Sequence, residues 1–160
     1  MKRSFDFFFA SALIAIFCVP AILIMIAIKL TSQGTIIYWS DRVGKNNLIF
    51  KMPKFRTMKI NTPELATHLL ENSTDVITPI GNFLRKYSLD EIPQLWSILK
   101  GDMSFVGPRP ALFNQNDLIR LRTDYGIEKI LPGLTGWAQV NGRDDLEIIE
   151  KVERDSEYLA

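Results

Sequence analysis

The sequence has 160 residues, 47% of them hydrophobic, and a formal net charge of +1, which fits one ordinary domain with at most a small appendage. Its basic residues are scattered among acids, which argues against a nucleic-acid partner, because phosphate-backbone binding needs a concentrated basic surface. A single cysteine, Cys18, and a single histidine, His68, leave no disulfide within the chain and no histidine or cysteine metal cluster.

Residues 7–28 carry no charge, and as one helix this run would roughly match the ~30 Å core of a bilayer. It is too long for a cleavable signal peptide and lacks a small-x-small cleavage site. Cys18 lies inside it as a small hydrophobe. Pro20 removes a backbone donor near the middle, so a kink or break is expected there. Lys2 and Arg3 precede the run, and Lys29, Arg42, Lys45, Lys51 and Lys54 follow it. Both flanks therefore carry the charge normally retained on the cytoplasmic side. A helix that dips in and returns satisfies both; a straight span satisfies one, although length alone would allow it.

Residues 34–39 and 48–55 are rich in β-branched and aromatic side chains on either side of a polar loop, which predicts a β-hairpin. The stretch 50–59 interleaves basic and apolar residues. It reads either as an edge strand with solvated charges or as an electropositive rim near anionic headgroups and substrates. Residues 61–75 are polar, with a helix expected near Pro63 after a Thr62 cap. His68 within this stretch has no companions at ligand spacing and reads as a surface residue.

Residues 79–87 predict a short helix carrying Arg85 and Lys86 toward Ser88. Ser88 followed three positions later by Glu91 is a capping-box pattern, and Pro93 is tolerable in a first turn. Ile92, Leu95, Trp96 and Leu99 then recur at helical spacing. Asp90 and Glu91 would sit on the first turn of this helix, whose unpaired amides and dipole favour both an ionised carboxylate and a bound phosphate. An ionised carboxylate beside a phosphate site can act as a nucleophile; the plain alternative is that the pair only caps the helix. Gly101 closes the helix. Pro108 and Pro110 restrict the backbone around Arg109, so its fork could be held for a bidentate phosphate contact, or it could be an exposed arginine on a rigid turn.

Residues 114–125 predict an amphipathic helix suited to a protein core or a membrane surface. Residues 131–143, with Gly133, Gly136 and Gly142, suit a ligand-facing loop that places Arg143. They match neither GxGxxG nor a P-loop. Residues 144–160 read as a charged final helix.

With these residues in view, the chain resembles the monotopic phosphoglycosyl transferases, the bacterial sugar transferase family. The resemblance runs through Arg3-Ser4-Phe5-Asp6 and the following apolar helix, residues 50–58, Ser88-Leu89-Asp90-Glu91, residues 100–110 and residues 132–143. It implies an α+β, mostly helical fold: a re-entrant membrane helix at 1–31 broken near Pro20, a cytoplasmic catalytic domain at 32–160 with a small β-hairpin, and amphipathic interfacial helices. It implies transfer of a sugar 1-phosphate from a UDP-sugar donor to a polyprenyl (undecaprenyl) phosphate acceptor, with release of UMP and a need for Mg2+. Such a reaction begins O-antigen, capsule, exopolysaccharide or protein-glycan assembly.

Asp90 matches the residue that forms a covalent phosphosugar intermediate. Glu91 matches its dyad partner, either activating the acceptor or supporting metal and nucleophile. Asp90 and Glu91 are then the expected metal side chains, and Arg85, Arg109 and Arg143 match basic positions near the phosphates or nucleotide. The implied location is the cytoplasmic face of the bacterial inner membrane, in contact with membrane lipids. Two features depart from the pattern. Cys18-Val19-Pro20 stands where the family has serine directly before proline. The family also continues past the position of Tyr158 with an aromatic and apolar segment, so docking and the floor of the site are expected to be incomplete here. Two other readings stay open, a catalytically inactive membrane scaffold of the same fold and a hydrolase of UDP-sugars.

Overall fold

The computed structural model describes residues 1–60, 62, 76–142 and 145–159. The expected helix near Pro63, His68 and Arg143 lie outside the described residues. Helix α1, Lys2–Thr31, continues through Pro20, so the chain is not divided there as a break would require. Its residues fall on two faces. Asp6, Ala10, Leu13, Phe17, Ala21, Ile24, Met25 and Ile28 form one buried or half-buried stripe at helical spacing. Phe8, Ile16, Val19, Leu23 and Leu30, each more than 60% exposed, lie on the outer surface, where Cys18 is also exposed.

The predicted hairpin is present, displaced along the chain. Strands β1, Ile37–Val43, and β2, Ile49–Phe55, pair antiparallel from Ile37 opposite Phe55 to Val43 opposite Ile49. The expected 41–47 loop shrinks because pairing continues through Asp41, Arg42 and Val43, leaving a 3-10 turn at Lys45–Asn47. Helix α2, Gly81–Lys86, leads to a 3-10 helix at Leu89–Gln94 that runs straight into α3, Leu95–Lys100. Gly101 ends α3 at φ 96°, as the sequence predicts.

Strand β3, Ser104–Val106, pairs in parallel with β4, Gly133–Thr135. The glycines here are packing devices. A Cβ on Gly133 would stand 2.2 Å from the Gly107 nitrogen, and one on Gly136 would stand 2.1 Å from the Gly107 carbonyl oxygen. Two of the three glycines read as a ligand-facing loop therefore serve backbone contact. Helices α4, Asn116–Asp124, α5, Trp137–Val140, and α6, Ile148–Leu159, with a 3-10 turn at Ile127–Lys129, complete the described elements.

Three apolar clusters hold these elements. Ala10 of α1 packs with Met52, Leu95, Ile98 and Met103. Near the other end of α1, Ile28 packs with Phe55 and Leu84. Both ends of α1 therefore close onto the same hairpin and the helices beside it. The third cluster joins Ala111, Leu118, Ile127 and Val152, which decides between the two readings of α4 in favour of a core-facing helix. On α3 the core face is Leu95 and Ile98; Trp96, expected inside, is 55% exposed. The 3-10 start turns the helix so that Ile98 rather than Trp96 meets Ala10 and Met103.

Candidate active site

Asp90 and Glu91 lie in the first turn of the 3-10 helix, as acidic first-turn residues should. The capping box does not form. Ser88 takes a left-handed conformation, φ 54° and ψ 22°, and its side chain makes no capping hydrogen bond. The turn is closed instead by the Glu91 amide donating to the Ser88 carbonyl at 3.2 Å. A non-glycine residue in this region is unusual and is held by its surroundings.

The cations gather unevenly on the two carboxylates. Lys54 Nζ of β2 donates to Glu91 Oε1 at 2.9 Å, and Arg109 Nη2 donates to the same oxygen at 3.0 Å. Burial alone would raise the Glu91 carboxyl, but Lys54 and Arg109 outweigh it and hold it down at about 2. Burial also weakens the hold of Lys54 on its proton. Arg109 lowers it further through its charge, while Glu91, in direct contact, and Asp90 oppose that fall. Asp90 is 7% exposed. Its carboxyl is raised from the ordinary value chiefly by burial, while Lys54 and Arg85 pull it back through their charge. The pair is thus differentiated: Glu91 is locked ionised by Lys54 and Arg109, and Asp90 is a desolvated carboxyl that shares only Lys54 with it and feels Arg85 besides.

Arg85, from α2, reaches Met58 Sδ at 3.8 Å and acts electrostatically on Asp90. Arg109 contacts Glu91 directly, so two of the three expected arginines converge on the dyad, and Arg143 is outside the described residues. From the sequence Lys54 is one of the flanking charges and part of a basic stretch, with no site role. Its signal was the period of two in β2, where Met52 and the hairpin partner positions fix which side chains turn inward, but the sequence does not say that one of those inward residues is a lysine meeting Glu91.

Among the described residues no group of three or more His, Cys, Asp or Glu side chains forms a metal cage. Asp90 and Glu91 are adjacent carboxylates of the kind that could hold one divalent cation, since magnesium is commonly held by one or two carboxylates together with phosphates and retained waters.

A family model described as bacterial sugar transferase matches residues 1–160. The chain belongs to the bacterial sugar transferase family. It is 40% identical over 167 residues to the UDP-glucose:undecaprenyl-phosphate glucose-1-phosphate transferase of Escherichia coli K12, covering 99% of this chain and 36% of the relative. It is 38% identical to the undecaprenyl-phosphate galactose phosphotransferase of Salmonella typhimurium, covering 99% and 36%. It is 37% identical to the exopolysaccharide production protein ExoY of Rhizobium meliloti, covering 99% and 76%. The chain spans about a third of the length of the first two of these sugar transferases and about three quarters of ExoY.

Proposed function

We propose that this sugar transferase family member moves a sugar 1-phosphate from a UDP-sugar to undecaprenyl phosphate through an Asp90 intermediate, at the start of exopolysaccharide or related surface-glycan assembly. The observation that carries the reading is the differentiated pair, with Glu91 paired to Lys54 and Arg109 and Asp90 left as the desolvated carboxyl near Lys54 and Arg85. A carboxylate oxygen of Asp90 attacks the phosphorus that bears the sugar, the bond from that phosphorus to the bridging oxygen breaks, and UMP leaves with that oxygen. The acceptor phosphate oxygen then attacks the same phosphorus and frees Asp90. Phosphoryl transfer depends mainly on position and charge neutralisation, which Lys54, Arg85 and Arg109 are placed to supply. Bound Mg2+ would add positive charge on the donor phosphates.

The acceptor explains α1. A polyprenyl chain stays in the bilayer, so the site must stand at its surface. The apolar outer face of α1 suits lipid, and the contacts of Ala10 and Ile28 with one domain favour both ends on the same, cytoplasmic side. We accordingly assign 1–31 to the membrane as a re-entrant helix that would turn by bending at Pro20 without a break in its helical run, and 32–160 to the catalytic domain.

The test is purified protein in nanodiscs with Mg2+, undecaprenyl phosphate and a panel of UDP-sugars. Acceptor-dependent UMP release is expected from the native protein, and none from Asp90→Asn with an unchanged fold. Turnover by Asp90→Asn would overturn the mechanism. Free sugar phosphate formed without acceptor would indicate a hydrolase, and UDP-sugar binding without turnover would indicate a scaffold.

A further inference from the structure

Arg109 is held at its backbone as well as at its side chain. Arg122 of α4 donates from Nη1 to the Arg109 carbonyl at 2.8 Å. Its other nitrogens face the opposite way: Nε and Nη2 donate to Asp155 Oδ2 of α6 at 3.0 and 2.6 Å. The Arg122 side chain is 12% exposed and that of Asp155 is 1% exposed, so water does not compete effectively for either group. Arg42 Nη1 braces the next carbonyl, that of Pro110, at 3.1 Å. Arg109 precedes Pro110, which already narrows its backbone conformations. With its carbonyl pinned, the root of the Arg109 side chain is fixed, and its guanidinium reaches Glu91.

A pair serving only to fasten α4 to α6 would need no third contact. The fork of Arg122 is divided between two partners, one on α6 and one on the segment that carries Arg109. We propose that Arg122 and Asp155 are a positioning pair for the site, through which the final helix sets where Arg109 stands beside Glu91 and so how it meets the donor diphosphate. This rests on the proposed reading of the site as one that takes a UDP-sugar. Lysine cannot replace Arg122, because one ammonium lacks the planar fork that spans both partners.

The test is a double-mutant cycle between Arg122→Lys and Arg109→Gln, reading kcat/KM for the UDP-sugar and, separately, the dissociation constant of UDP. In the native background Arg122→Lys should lower kcat/KM and weaken UDP binding by about tenfold, whereas in the Arg109→Gln background it should change either by less than about twofold. Equal losses in both backgrounds would mean that Arg122 acts through general stability alone and would overturn the proposal. Should Arg122→Lys fail to fold, Asp155→Asn, which keeps the side-chain shape, takes its place in the same cycle with the same two outcomes. Native protein that binds UDP but releases no UMP would sink the transferase reading while the UDP-binding cycle still decides the role of Arg122.

Discussion

Lys54 of β2 and Glu91 of the 3-10 helix meet at 2.9 Å, with side chains only 16% and 13% exposed. Neither is a residue that globular proteins bury without a partner. Lys54→Met should therefore destabilise the fold. Breaking a buried pair typically costs roughly 3 to 5 kcal/mol. Here we expect about 2 kcal/mol, because Arg109 stays on Glu91 and methionine removes the cost of burying the ammonium. Denaturant unfolding in detergent measures it, and an unchanged midpoint would show that the pair contributes nothing.

The same contact predicts an acid limb in stability. The folded Glu91 carboxyl, at about 2, lies below its ordinary 4.5. The ionised form is therefore the stabilising one: its contribution is complete above about pH 4.5 and is lost as pH falls through about 2. The difference corresponds to about 3 kcal/mol. Asp90, raised by burial, titrates in the opposite sense, so the quantity to plot is the native protein minus Glu91→Gln. That difference should shrink by about 3 kcal/mol between pH 5 and 2; a flat line would refute the assigned ion pairs.

The parts legible in the sequence were those set by local chemistry. The apolar run, the hairpin residues, Gly101 at a helix end, and the acidic first turn at Asp90 and Glu91 each follow from side chains close in sequence. What escaped depended on the assembled fold. Ser88 carries the residue type of a cap, but between α2 and the 3-10 helix it lies at φ 54° and its side chain makes no capping hydrogen bond. Trp96 matches the helical period, but the 3-10 start rotates α3 and puts Ile98 inside. Lys54 reaches Glu91 from 37 residues away, a pairing that only the packing of β2 on the 3-10 helix creates.

Asp6 is a further contact of that long-range kind. It is 2% exposed in α1, where it accepts hydrogen bonds from Ser104 Oγ at 2.9 Å and the Phe105 amide at 3.3 Å. Arg3 nearby donates to the Ile98 and Leu99 carbonyls at the end of α3. The first turn of α1 is thus tied by polar contacts to the segment that begins at Asp90. Asp6→Ala strands the Ser104 hydroxyl, which is fully buried, and should cost about 2 kcal/mol. Adding Ser104→Ala should recover part of that loss, because the buried hydroxyl donor is then removed with its acceptor and only the half-buried Phe105 amide is left without one. Additive losses in the double variant would show that the hydrogen bond is not what stabilises the contact.

The proposed membrane arrangement makes a geometric prediction. A helix of 30 residues extends about 45 Å at 1.5 Å per residue, enough to cross a bilayer. Ala10 and Ile28 nevertheless pack against parts of one domain, and a straight crossing would carry one of those ends away from it. The native Cys18, exposed on the outer face, should be shielded by lipid from a membrane-impermeant maleimide and should react once detergent is added. In a Cys18→Ser background, Ser4→Cys and Gln33→Cys place thiols at exposed positions at the two ends of the helix. In inverted inner-membrane vesicles both should be labelled from the outside, the former cytoplasmic face. Labelling of only one would mean that α1 spans the bilayer, and the contacts of its two ends with a single domain would then have to separate in the membrane.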